Sequence, residues 1–480
     1  MTTVTTSLPP LLRRLVQLAV GVLLVIAIGA GALWAVLRIA LAPLRERVFR
    51  NIWSASLLSN FGQLILGVGA AWEMTRLTTS ASMVALVQSA MMIPMMLVAV
   101  PAGAIADMFD RRKTAMLGLG FASLSAALLT TLALLGLTTP WMLLLFCCLI
   151  GGGVALYAPA WQASIIEQVH PDQLPAAVAL GAVSYNIARS FGPAVGGAIV
   201  LAVGAQGAFA INAIFYLPLL ITFYFWSRQQ PMNRLPPERI DRAIVSGARY
   251  ALHSPAIRIV LLRAFLFGIC SAAVAALTPL IARDLLNGNA GTFGLLLGAT
   301  GVGAVIGALA VSDVRERFGA EQAVTLCAIV SALTTIPIGL SSHLIVTSAL
   351  LMISGAANML LVSLFSVGVQ LSAPRWVAAR AIALHSSALT GGIAIGAWIW
   401  GQVTAAHGVD VAVIGAGSLL LLSSAIGLVL PMPRVSLSEI EIVDLGHEPQ
   451  VALPLTARSG PIVIEIDYRV DPEKARHFYD

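Results

Sequence analysis

The stretch YNIARSFGPAVGG, residues 185–197, lies inside a long apolar run from about 178 to 200 and decides what kind of protein this is. It contains an arginine, a proline and three glycines, although the chain as a whole avoids charge. With 58% hydrophobic residues, 10% charged residues and a mean hydropathy of +0.91, 480 residues have too little polar surface to cover a water-soluble globule. The run is therefore predicted to be a helix in a bilayer, and the protein an all-α polytopic membrane protein.

Other apolar runs are also long and continuous, which favours helices over the short alternating strands of a membrane barrel. They predict six helices between residues 52 and 227 and six more between 259 and 430. All four cysteines fall within these runs and act as small apolar residues, with no disulfide or metal pattern among them.

Lysine and arginine are distributed unevenly over the short connections. Thirteen lie on one predicted side of the membrane, and only Arg76 and Arg283 lie on the other. Because positively charged connections stay on the cytoplasmic side, the interval 229–258 and the tail after residue 431 are predicted to be cytoplasmic, in an inner (plasma) membrane protein. This topology accounts for the net charge of +6, so nucleic-acid binding is not indicated.

The two sets of six helices resemble each other. GAIADMFDRRK (103–113) follows the second helix of the first set, and GALAVSDVRER (307–317) follows the second helix of the second. The glycines of GPAVGG (192–197) recur in GGIAIG (391–396). An internal repeat of this kind is typical of transporters that bind substrate between two pseudosymmetric halves.

These features divide the chain into an N-terminal extension at 1–50, a first six-helix bundle at 51–228, a cytoplasmic linker at 229–258, a second six-helix bundle at 259–431 and a cytoplasmic tail at 432–480. The extension contains an apolar run at 15–37, which is either a further helix or the product of a start codon placed too far upstream. In the tail, PIVIEIDYRV (461–470) alternates like a strand and Asp471 can begin a helix. The tail is thus predicted to be the truncated start of a small α+β domain.

GAIADMFDRRK resembles the signature G-x-x-x-D-R-x-G-R-R of the major facilitator superfamily. Gly103 and Asp107 match it, Arg111 and Arg112 supply its basic pair, and Asp110 stands where the signature has glycine. The resemblance implies that the aspartate meets the N-terminus of a helix in the other half and holds the cytoplasmic side shut, a contact worth roughly 0.3–1 kcal/mol. The alternative is that the basic residues only set the orientation.

GPAVGG, in the fifth helix, resembles the antiporter motif of exporters in that superfamily. The residues concerned are Arg189, Gly192, Pro193, Gly196 and Gly197. Proline bends a helix, and glycines four apart allow close helix contact. An arginine near the middle of a span is costly, so it either attracts an anionic substrate group or takes part in gating, or it binds backbone carbonyls in a structural role.

The block from 157 to 197 resembles the branch that includes the bacterial enterobactin exporter and the transmembrane secretion effectors, and the likeness extends over about 45–430. The resemblance implies the major facilitator fold and export of small molecules, often siderophores or hydrophobic drugs, driven by proton exchange. The candidate proton-coupling residue is Glu73, although Arg76 three residues on could simply pair with it.

Paired polar or aromatic residues on shared helix faces are candidates to line a substrate cavity: Asn60 with Gln63, Tyr157 with Trp161, and Ser354 with Asn358. Each pair could instead make a helix–helix hydrogen bond or face lipid. No nucleotide-binding, zinc-hydrolase or serine-hydrolase motif occurs, so no cofactor, metal or catalytic residue is expected.

The sequence therefore predicts a secondary transporter, not an enzyme, that expels a siderophore or drug-like molecule by alternating access and proton antiport. The alternatives are an importer of the same fold, and a membrane scaffold or effector that acts through its cytoplasmic tail.

Overall fold

The computed structural model describes residues 41–227, 249, 253–373 and 378–433, and within these ranges it contains eleven long helices and no strand. The first five are α1 Arg47–Leu77, α2 Ala81–Met108, α3 Arg111–Leu134, α4 Pro140–Ser164 and α5 Leu174–Phe225. The other six are α6 Pro255–Leu280, α7 Ala290–Leu309, α8 Val311–Leu340, α9 Leu344–Ser372, α10 Ala378–His407 and α11 Val409–Ser424. The predicted extra helix at 15–37, most of the linker and the strand of the tail lie outside the described residues.

These eleven helices make twelve crossings, because α5 is two helices joined at one residue. Gly204 has φ 78° and ψ 176°, and it separates a segment at 174–203 (α5a) from one at 205–225 (α5b). The sequence predicts two separate apolar runs here, with a connection between them. In the structure, a single residue makes that connection. Ten helices in the described ranges are long and apolar enough to cross a bilayer. The remaining one, α1, is 31 residues long and packs closely against α5.

The two halves repeat this tight turn. Gly408, between α10 and α11, has φ 97° and ψ 165°. It therefore joins the fifth and sixth helices of the second half as Gly204 joins those of the first. Residues with a side chain rarely adopt a positive φ, so each turn depends on glycine. The predicted internal repeat is thus present in backbone conformation as well as in helix order.

The repeated glycines also face equivalent neighbours. Gly192 and Gly196 in α5a pack against α1, with a Cβ placed on either lying about 3.1 Å from an α1 carbon. Gly392 and Gly396 in α10 pack in the same way against α6. In both halves, the fifth helix lies closely against the first helix of its own bundle.

The two bundles meet along two equivalent seams. In one, α2 packs against α10, and in the other α5 packs against α7. Each seam joins the second helix of one half to the fifth helix of the other, as the pseudosymmetry of the repeat requires. We call the end where α1 and α3 begin, which carries Arg47, Arg111, Arg112 and Lys113, the basic end, and the opposite end, which carries Arg76 and Arg283, the far end.

The starts of two helices at the basic end, α3 and α8, are not as the sequence predicts. The Asp110 carboxylate accepts hydrogen bonds from the backbone N–H groups of Arg112 (2.9 Å) and Lys113 (3.2 Å), and so caps α3. The departure from the superfamily signature is therefore a helix cap, which satisfies backbone donors that the helix leaves free. In the second half, α8 already begins at Val311, inside the stretch 307–317 that the sequence places after the second helix, and it bends at Gly319, where φ is 72°.

Candidate functional site between the two bundles

Glycine contacts bring the two bundles together from the far end to the middle of the seams. A Cβ on Gly197 of α5 would lie 2.5 Å from the Gly294 Cα of α7, and one on Gly301 would lie 2.7 Å from the Ser190 Cα. In the other seam, the Ser89 hydroxyl donates to the Ala394 carbonyl at 2.7 Å. The far halves of both seams are therefore tightly closed.

Arg189 lies at the middle of the α5–α7 seam. It is half-buried, and its Nη1 lies 3.6 Å from the Met359 sulfur on α9, in the opposite bundle. No carboxylate of a described residue lies within ion-pair distance of it. Its neighbour Ser190 donates to the Gly301 carbonyl at 3.3 Å. A cation without a carboxylate partner among the described residues thus lies where the two bundles meet.

The remaining residues of the antiporter-like motif occupy two faces of α5a. Gly192 and Gly196 face α1 within their own bundle, whereas Gly197 faces the other bundle. Pro193 lies inside the helix, and Gly204 is the one residue of α5 with non-helical φ and ψ. The turn at Gly204 joins the fifth and sixth helices, so flexing of the fifth helix itself at Gly192–Pro193 stays a prediction.

Part of the gating motif lies within the described residues. Arg111 donates to the Ala163 carbonyl (2.7 Å) and to the Glu167 carboxylate (3.0 Å), and Arg112 donates to the Tyr224 carbonyl. Both arginines therefore bind the ends of other helices in their own bundle. Gly103 and Asp107 lie in the last turns of α2, but their side chains are outside the described part of the chain.

The predicted cavity residues make contacts mainly within single bundles. The Asn60 amide donates to the Ser184 hydroxyl at 3.2 Å within the first bundle. Asn358 accepts from Ser331 at 2.7 Å and donates to Ser354 at 3.4 Å within the second bundle.

The two aromatic candidates are also inside the first bundle. Tyr157 is 7% exposed and packs edge-on against Phe223, and the ring of Trp161 packs against Gly181. Gln63 is half-buried and makes no hydrogen bond with another described residue. As substrate contacts, all six positions stay predictions.

Comparisons with known proteins agree with this arrangement. The sequence matches the family described as transmembrane secretion effector over residues 38–480. The chain belongs to this family. The Staphyloferrin A transporter of Staphylococcus aureus (strain NCTC 8325 / PS 47) is 24% identical to this chain over 276 residues, which are 56% of this chain and 68% of that protein.

Two solved transporters share the fold of this chain. A bacterial homologue of the human lysosomal transporter Spinster, in an inward-facing and unoccupied conformation, has a TM-score of 0.64 at 14% identity, covering 81% of this chain and 97% of its own. A D-xylose–proton symporter has a TM-score of 0.62 at 13% identity, covering 78% and 96%. Taken with the family match, this fold makes the protein a membrane transporter of the major facilitator type.

At the far end of the molecule, a cation joins the two bundles. Arg283 follows α6 and donates to the Thr75 carbonyl in the last turn of α1 at 3.3 Å. Asp284 orients the guanidinium through contacts of 2.6 and 3.0 Å. Glu73 pairs with Arg76 at 3.2 Å within α1, so the pairing weighed from the sequence is present.

One partly buried ion pair of this chain is not predicted by its sequence. Arg263 on α6, 6% exposed, contacts Glu321 on α8 at 2.6 and 3.1 Å. Arg263 also donates to the Leu430 carbonyl, and Glu321 accepts from the Met432 backbone N–H. The pair therefore fixes the segment that follows the last helix to α6 and α8. The only hint is a charge at position 263, inside an apolar run.

Proposed function

We propose that this transporter exports small, partly hydrophobic molecules that carry an acidic group, of siderophore or drug-like kind, in exchange for protons. The observation that supports this most directly is Arg189, a half-buried cation at the meeting point of the bundles with no carboxylate of a described residue beside it. A charge within a membrane domain is costly unless it faces a polar cavity or a partner. An anionic substrate supplies such a partner, and the Met359 sulfur beside it suits an adaptable apolar contact.

The same site accounts for alternating access. A substrate held by Arg189 and α9 contacts both bundles, so its affinity changes as the bundles tilt and it can shift their equilibrium. We take the basic end as cytoplasmic on the distribution of Lys and Arg. The closed far halves of the seams then correspond to the inward-facing state that the Spinster homologue adopts.

Closing of the basic end is assigned to Asp107. The helices α2 and α10 run side by side, with Met96 against Gly391. Asp107 lies 11 residues beyond Met96, and Ala378, where α10 begins, lies 13 residues before Gly391. Both are about 16–20 Å further toward the basic end. The aspartate and the N-terminus of α10 thus have matching depth, as a latch between carboxylate and helix dipole requires.

Proton coupling is assigned to Glu73. Protonation of this carboxylate would release Arg76, the residue that follows Thr75, whose backbone carbonyl Arg283 contacts. The released Arg76 cation would then repel Arg283 and weaken the far-end contact between the bundles, whereas removal of Arg76 itself would not. Transport by Glu73→Gln should therefore lose its dependence on an imposed pH gradient, whereas a parent-like response would exclude this residue.

The deciding experiment measures efflux of labelled carboxylate siderophores and of neutral and cationic drugs from a susceptible bacterial strain that expresses the full chain. Arg189→Met keeps an unbranched, flexible side chain and removes the charge. We expect it to reduce export of acidic compounds by about tenfold, the value of one charged hydrogen bond. Arg317→Met, at an exposed arginine of the other bundle, is the matched control.

Three outcomes separate the alternatives. Accumulation of the compounds in intact cells would make the protein an importer. Equal losses in both variants would remove Arg189 from substrate binding. Undiminished protection by Asp107→Asn would remove the latch.

A further inference from the structure

A cleft separate from the seams between the bundles opens between the first and sixth crossings at the basic end. It has a volume of about 590 Å³. One wall is a face of α1 that carries Arg47, Asn51, Ser54 and Leu58, spaced three and four residues apart, and the other is the last part of α5b. Such spacing places the four side chains in one row along the helix.

The row changes from cationic to apolar with depth. Arg47 is at the basic end, Asn51 and Ser54 follow, and Leu58 is deepest, a span of about 16 Å. On the opposite wall, Ile221 and Phe225 are 55% and 77% exposed, as expected of side chains that contact hydrocarbon. The cleft therefore has a charged mouth and an apolar floor. This matches a lipid in one leaflet, whose headgroup lies at the membrane surface and whose acyl chain points toward the bilayer centre.

The mouth of the cleft is positively charged on both sides. Arg45 and Arg50 are exposed beside Arg47, and no carboxylate of a described residue is within ion-pair distance of Arg47. On the other side, Arg112 donates to the Tyr224 carbonyl, one residue before Phe225. Trp226, 6% exposed, lines the same mouth, and tryptophan favours the depth of lipid headgroups.

We propose that this cleft binds one anionic phospholipid, whose phosphate is held by Arg47 and whose acyl chain lies along Leu58 and Ile221. Basic pockets between membrane helices recognise anionic headgroups, and each cation near the surface contributes about 1 kcal/mol to attraction of acidic lipid. A zwitterionic lipid of the same chain length fits the apolar floor equally well but gains less at the mouth. The site is therefore selective by headgroup.

The test is native mass spectrometry of the delipidated full-length protein in detergent, with phosphatidylglycerol or phosphatidylcholine of identical acyl chains added. We expect one phosphatidylglycerol to be retained in preference to phosphatidylcholine. Arg47→Gln should reduce that preference by about fivefold. Arg317→Gln, which removes an exposed charge from the basic end of the other bundle, should leave it unchanged.

A second measurement does not depend on lipid retention in the gas phase. A Ser54→Cys thiol should react readily with a maleimide in lipid-free detergent, because Ser54 is exposed. Phosphatidylglycerol should slow this reaction, and phosphatidylcholine or inorganic phosphate should not. Labelling of the unsubstituted protein gives the background from the four native cysteines.

Three results would overturn the proposal. One is equal retention of the two lipids, and another is an equal effect of Arg47→Gln and Arg317→Gln. The third is a Ser54→Cys thiol that is already blocked without lipid, because another part of the chain, such as residues 1–40, would then fill the cleft.

Discussion

Removal of Arg283 should loosen the far end of the transporter. Its guanidinium contacts the Thr75 carbonyl, in the last turn of α1, at 3.3 Å, and so joins the second bundle to the first. A cation at the C-terminus of a helix contributes about 0.3–1 kcal/mol at an exposed site. This is a factor of about two to five in the equilibrium between far-end-closed and far-end-open states.

Arg283→Gln should shift that equilibrium toward the open state by this factor. The separation of the bundles can be measured by pulsed electron paramagnetic resonance between spin labels at Leu137→Cys and Leu340→Cys, both exposed at the far end. The four native cysteines are first replaced by alanine. The matched control is Arg76→Gln. It removes an exposed arginine whose ion pair, with Glu73, lies within α1 alone.

The populations of the short and long distances show whether the contact between Arg283 and α1 affects the equilibrium. The parent and Arg76→Gln should have the same distance distribution, and Arg283→Gln should gain the longer distance. If both variants move the distribution equally, the effect comes from net charge at the far end and not from the contact with α1. If neither does, the contact contributes nothing to the equilibrium.

Three further substitutions test contacts in the fold. Gly197→Ala should separate α5 from α7 and slow transport, since its Cβ would lie 2.5 Å from a backbone carbon, whereas Gly120→Ala, with nothing within 4 Å, should not; equal transport by both would refute the close seam. Arg263→Met should lower the stability measured by thermal unfolding in detergent by roughly 3 kcal/mol, because Glu321 loses its partner. Adding Glu321→Gln to this variant should recover part of the loss; no recovery would mean that the ion pair is unimportant. Asp110→Ala should cost about 0.5–2 kcal/mol by uncapping α3, measured in the same melts, with Asp110→Asn as the near-neutral control.

The sequence predicts the crossings well because a bilayer leaves little choice. A backbone without water must form its own hydrogen bonds, so each long apolar run becomes a helix. The ends are harder to predict. Hydropathy stays high around Gly204, and nothing in the composition of a loop indicates that one glycine at positive φ can make the whole turn.

Side-chain partners in this transporter depend on tertiary structure. Helical periodicity correctly places Ser354 and Asn358 on one face, but it cannot say that Ser331 lies opposite them in the same bundle. Arg263 and Glu321 are 58 residues apart and meet only once α6 packs near α8. Asp110 is the exception, because an aspartate just before a helix is a local capping signal that the comparison with a superfamily signature obscured.

The single-glycine turns at positions 204 and 408 have a practical consequence for anyone who engineers this chain. A turn of one residue has no spare chain length. A fluorescent reporter or an epitope inserted into either hairpin would therefore separate its two helices. The short connection also couples the two helices of each hairpin rigidly. We therefore expect the sixth helix of each half to tilt together with the fifth, so that motion at a seam is carried into the rest of that bundle.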